Sequence, residues 1–169
     1  MHMVLLALLV YLAAVLETSL VDVLRIGDAA PDLLALLAIV WLLTARGPRA
    51  FLAAGAIALA GDLLAPGRVG VGMFWMLLVG YAVTRLRARC KFDYLVFQVP
   101  TAFVAVTVWA IAVGASARLL GDVALPWWSI VARGAAVGLY TAAVCLPVLM
   151  VVGWIRETSL ARERKLAEL

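Results

Sequence analysis

Six apolar runs, cut apart by short charged or Pro/Gly turns, leave this chain almost no way to fold in water. They cover about Met3–Leu24, Asp32–Ala45, Ala50–Leu64, Val69–Leu86, Tyr94–Ala117 and Trp128–Ile155. Apolar residues make up 67% of the 169-residue sequence and charged residues 14%. A soluble domain this small keeps much of its surface in water, and that surface needs more polar side chains than are present. The expectation is an all-α integral membrane protein: one domain of six transmembrane helices over residues 1–155, then a cytoplasmic charged tail over residues 156–169. The second and third runs are short for a hydrocarbon core of roughly 30 Å, which wants about 20 residues. Extending each through its terminal aspartate and flanking turn gives a workable length. The first run has no basic leader and no good small-residue cleavage site, so it reads as a retained helix and not as a signal peptide.

The placement of charge gives the orientation. Arg46, Arg49, Arg85, Arg87, Arg89, Lys91, Arg156, Arg162, Arg164 and Lys165 fall on one side of the runs, and Arg25, Arg68, Arg118 and Arg133 on the other. The positive-inside rule then places both termini in the cytoplasm. Glu17, Asp22, Asp28, Asp32, Asp62 and Asp122 belong to the outer half. The tail alternates charge signs and reads as a solvated helix continuing the sixth segment.

Several chemistries are excluded by residue type. The one histidine is His2, and the two cysteines, Cys90 and Cys145, are far apart. No zinc spacing, disulfide framework or Ser-His or Cys-His nucleophile system can be built from them. There is no phosphate-loop lysine motif and no nucleophile elbow. The basic residues form short clusters between apolar runs and not the aromatic-interleaved face that nucleic acid requires. No enzyme activity, cofactor, metal or nucleic-acid partner is expected.

Carboxylates inside a membrane are costly, which makes each one a candidate for function. Asp32 lies 14 residues from Arg46 and Asp62 lies 13 from Arg49, so both sit roughly 20 Å from the inner boundary at 1.5 Å per residue. The Gly47-Pro48 turn makes segments two and three antiparallel neighbours, and Glu17 can approach the same level. Three outcomes are open: Arg25 or Arg68 neutralises the acids, one acid is protonated, or Asp32 caps a helix behind Pro31. Asp62 sits near the end of its helix, where the dipole disfavours an anion. Gly67, Gly70 and Gly72 bracket Arg68 and mark a tight turn with close helix approach. Gly134 and Gly138 form a small-residue face for packing another helix, within the chain or in a partner.

Pro31-Asp32-Leu33-Leu34, then Gly55 to Gly61-Asp62-Leu63-Leu64, Gly70-Val71-Gly72 and Gly80-Tyr81 together resemble the rod-shape-determining protein MreD family over roughly residues 1–155. Each motif is short and apolar, and their joint order carries the likeness. Gly61 stands where a bulkier residue often precedes the acid, and Pro147 introduces a kink into the last helix. The resemblance implies a bundle like the S component of energy-coupling-factor transporters. It also implies a multi-pass place in the bacterial cytoplasmic (inner) membrane and a non-enzymatic scaffold role in cell elongation, cell shape and lateral peptidoglycan synthesis. The implied partner is MreC, with RodA, a class B penicillin-binding transpeptidase and MreB reached through the complex, and membrane lipids around it. Glu17, Asp32, Asp62, Arg68, Gly70 and Gly72 are then candidates for a partner surface or outward cavity, and Asp62→Ala should disturb partner binding more than insertion. The alternative is a small-molecule-binding S component of a vitamin transporter, with the acidic layer lining an outward pocket. The small residues of Ala112–Ala117 would then meet a coupling subunit.

Overall fold

The computed structural model describes residues 2–24, 32–45, 47–65, 68–89 and 95–167. Arg25, Pro31, Arg46, Gly67, Cys90 and Lys91 lie outside them, as do the side chains of the tail. The described residues form six α-helices: α1 (His2–Leu24), α2 (Leu33–Thr44), α3 (Pro48–Leu64), α4 (Val71–Arg89), α5 (Leu95–Leu119) and α6 (Trp127–Ala167). No strand occurs among them.

Local chemistry sets the helix ends. Asp32 stands outside α2 in extended conformation, and its Oδ1 accepts a hydrogen bond from Ala35 N at 2.7 Å. Pro48 opens α3, where its missing N–H would have been unpaired anyway. Gly70, at φ +97°, turns the chain into α4 in a conformation that disfavours any Cβ. α6 runs unbroken past Pro147 to Ala167, so the tail continues the last helix.

α2 is the axis of the bundle and touches all five other helices. Leu34, Ala35, Leu36, Ala38, Ile39, Val40, Leu42 and Leu43 are buried, which closes nearly every side of the helix. Only a helix apolar all round can occupy that place. The position also corrects the expected length. α2 does not extend through its flanking turns; its 12 residues rise about 18 Å. Its ends lie within the bundle, where side chains from α1 and α4 receive them. α3, by contrast, does extend through its aspartate to Leu64.

α5 and α6 share the most extensive contact of any helix pair, and glycine lets them approach. A Cβ on Gly134 would lie 3.2 Å from the backbone nitrogen of Ile111, and one on Gly138 would lie 3.3 Å from the carbonyl of Phe103 and collide with Thr107 Oγ1. Gly114 faces Ile130 of α6 in the same way. The Gly134/Gly138 face is therefore spent within the chain, against α5.

The outer faces are apolar. Tyr11 and Leu12 of α1, Leu52 of α3, Phe74 and Leu78 of α4, Val104 of α5 and Leu139 of α6 are all exposed. Two stretches, Phe97–Leu119 and Trp127–Pro147, are long and apolar enough to cross a membrane. Leu8–Ser19, Leu33–Thr44 and Ala50–Leu64 are shorter apolar helical stretches.

Candidate functional site

The candidate residues separate into two neighbouring arrangements at the end of the bundle where α2 and α4 begin. The first receives the N-terminus of α2. Asp32 binds Ala35 N, and Glu17, reaching across from α1, accepts from Leu34 N at 3.2 Å. Two of the amides that a helix start leaves unpaired are thus met by carboxylates, one local and one from a neighbouring helix. At the opposite end of α2, Arg87 of α4 donates from Nη1 to the carbonyls of Leu42 at 3.0 Å and Ala45 at 2.7 Å. Anions at the start and a cation at the end match the helix dipole. Sequence reasoning read Arg87 only as an orientation marker and missed this contact.

The second arrangement is built around Asp62, in the last turn of α3. Its Oδ2 accepts from Gly70 N at 2.9 Å and Met73 N at 3.0 Å. The carboxylate therefore caps α4 from outside. Gly72 completes the fit, because a Cβ there would overlap Asp62 Oδ1. The carbonyl of Gly72 in turn accepts from Trp109 Nε1 of α5 at 3.0 Å, and Trp75 Nε1 of α4 donates to Ser116 Oγ at 2.8 Å. Two indoles thus tie the start of α4 to α5.

Arg68 neutralises neither Asp32 nor Asp62. Its Nε lies 3.1 Å from Asp122 Oδ2, and Nη2 donates to Leu120 O at 3.3 Å. This joins the turn before α4 to the connection between α5 and α6. Arg118 closes the same connection, stacking 4.6 Å from the Trp127 ring centroid and donating to the Leu125 carbonyl.

Beside the α2 cap a cavity of about 500 Å³ opens toward α5 and α6. Glu17 and Asp32 are on its wall, Trp109, Val113 and Gly134 supply apolar surface, and Arg133 adds a cation. Its volume falls in the range of small-molecule sites, about 300–1,000 Å³. Asp62, Arg68, Gly70 and Gly72 do not line it. The expected single acidic layer is thus divided into an open pair, Glu17 with Asp32, and a closed one, Asp62 within its turn. Among the described residues no group of three potential metal ligands comes together.

No family model, no curated protein and no solved structure matches the chain.

Proposed function

We propose that this protein is a six-span membrane scaffold of the MreD type, with both termini in the bacterial cytoplasm. In this reading it binds MreC and, through it, the machinery of lateral wall synthesis. One observation carries the reading: the residues of the likeness act as fastenings between helices. Asp32 starts α2, and Asp62 with Gly70 and Gly72 starts α4. Gly80 lets Leu42 of α2 and Phe51 of α3 come close to α4. Such fastenings hold one end of a small bundle in a fixed shape, which a binding surface needs. The apolar outer faces of α1 and α3 to α6 support the membrane placement, since a protein in water rarely exposes so much hydrocarbon. The bias of basic residues supports the orientation.

The test is co-purification of the tagged chain with MreC from the same genome, in mild detergent. A stable complex supports the scaffold. Absence of a complex between well-expressed, folded proteins turns the reading to the alternative, a small-molecule-binding component of a transporter. That second reading has its own supporting observation, the cavity beside Glu17 and Asp32, and would be followed by ligand screening.

A further inference from the structure

The end of the bundle opposite the acidic residues carries a second concavity. A groove of about 450 Å³ runs between α4 and α5, walled by Val79, Ala82 and Leu86 on one side and Pro100, Val104 and Val108 on the other. Thr101 also lines it, but its hydroxyl donates back to the Phe97 carbonyl at 2.7 Å. Its one side-chain hydroxyl is thus already engaged, and the rest of the named wall is hydrocarbon. A lining of this kind suits a hydrocarbon chain.

The groove is confined to one half of α4. From Val79 to Arg89 is ten residues, a rise of about 15 Å and so half of a hydrocarbon core of about 30 Å. That depth corresponds to a single leaflet. At the mouth the chemistry changes sign. Arg89 is three residues beyond Leu86 and seven beyond Ala82, on the same face of the helix. It is exposed, with no partner among the described residues. Arg85 lies beside that stripe, and its Nε donates to Tyr81 Oη at 2.9 Å while its guanidinium stacks 5.3 Å from the Tyr81 ring centroid. These contacts hold the exposed side chain by Nε and do not engage its terminal nitrogens. The sequence from 79 to 105 holds one acid, Asp93, against Arg85, Arg87, Arg89 and Lys91.

We propose that the α4–α5 groove, with Arg85 and Arg89 at its mouth, is a binding site for an anionic phospholipid of the cytoplasmic leaflet. The phosphate pairs with the two guanidiniums, which suit it geometrically, and an acyl chain lies along Val79–Leu86. Basic positions between helices on the cytoplasmic side favour anionic headgroups for this reason. The inference rests on the membrane placement and orientation proposed above, and not on which protein the chain partners.

The experiment is native mass spectrometry of the full chain, extracted in mild detergent and offered equimolar phosphatidylglycerol and phosphatidylcholine. Phosphatidylglycerol should be retained at least fivefold over phosphatidylcholine. The double variant Arg85→Gln/Arg89→Gln should bring that ratio close to one, and Arg85→Lys/Arg89→Lys should restore part of it. Ala82→Trp, which fills the groove, should lower retention of phosphatidylglycerol while the charges stay in place. An unchanged thermal midpoint confirms that each variant is folded; a variant with a lowered midpoint is replaced by Val104→Phe for the groove or by single Arg→Gln changes for the mouth. Equal retention of the two lipids by the unaltered chain overturns the proposal. So does an equal loss on Arg162→Gln/Arg164→Gln, because the tail would then be acting as a diffuse basic surface. A chain recovered without detergent in the soluble fraction would overturn the membrane placement itself, a result separable from the others.

Discussion

Asp32 and Asp62 start as equivalent signals, two aspartates at one level of an apolar bundle, and end in different surroundings. Both serve a helix start. Asp32 caps its own helix through one amide, with Glu17 of α1 on the next. Asp62 caps the following helix through two amides and sits in the space that the missing Cβ of Gly72 leaves on the receiving turn. An anion in the last turn of α3 opposes that helix's dipole. It is tolerated because the same carboxylate sits at the positive start of α4. The Asp32 pair, by contrast, stays on the wall of a cavity. Whether an acid in this apolar bundle remains open to a ligand thus depends on the turn it faces.

The largest expected effect tests the closed half of this contrast. Asp62→Ala removes two amide–carboxylate hydrogen bonds and should cost about 3 kcal/mol, read as a drop in the thermal midpoint in detergent. Gly72→Ala should also destabilise the otherwise unaltered chain, because its Cβ overlaps Asp62 Oδ1. Introduced after Asp62→Ala, it should cost much less, since the obstructing atom is gone. Strictly additive midpoint shifts would show that the two residues do not form one unit. With non-additive shifts, a partner-binding defect in Asp62→Ala passes through the Arg68–Gly70 turn that the carboxylate holds.

This device was half legible in the sequence. Six segments, their order and the antiparallel pair around Gly47-Pro48 follow from apolar run length and turn residues, and the helix bounds agree within a few residues at most ends. Asp32 as a cap was one of three outcomes left open by its place before an apolar helix, and it is the one the structure shows. Asp62 as a cap of α4 did not, because capping rules read forward from a residue into its own helix, and this contact crosses eight residues to Gly70. The spacing Asp62, Gly70, Gly72 held the clue: a positive-φ donor and a missing Cβ are what a carboxylate needs to enter a turn. The central burial of α2 was hidden for a different reason. Its lack of charge showed that it was buried, but lipid and protein bury a short apolar helix equally well by composition. Arg87 was missed because orientation explained it fully without a contact.

Arg87→Gln probes the far end of α2 and should have the next largest effect. It weakens two charge-assisted bonds to the Leu42 and Ala45 carbonyls, with an expected cost of about 2 kcal/mol. Asp32→Ala should cost only about 1 kcal/mol, because Glu17 still holds Leu34 N. Changing both acids should cost more than the sum of the single changes, since each covers for the other. If Asp32→Ala proved as damaging in detergent melts as Asp62→Ala, the distinction between an open and a closed acid would fail.

The smallest perturbation bears on the open side. Ala117 lines the cavity beside Glu17 and Asp32, and Ala82 lines the groove near Arg85. Replacing either alanine by cysteine adds one sulfur at a site facing open space, so stability should stay within about 0.5 kcal/mol. In intact cells a membrane-impermeant maleimide should label Ala117→Cys and leave Ala82→Cys unlabelled. Both variants are made in a Cys90→Ser background, and the other native thiol, Cys145, is buried. The pattern follows from two separate claims, that the Asp32 cavity opens to water and that this water is outside the cell. Labelling of Ala82→Cys alone would invert the orientation and place the arginine groove outside. Labelling of neither, with both sites reactive after detergent extraction, would mean that the cavity is filled by lipid or by a partner helix. Asp32 would then be as closed in the membrane as Asp62 is within its turn.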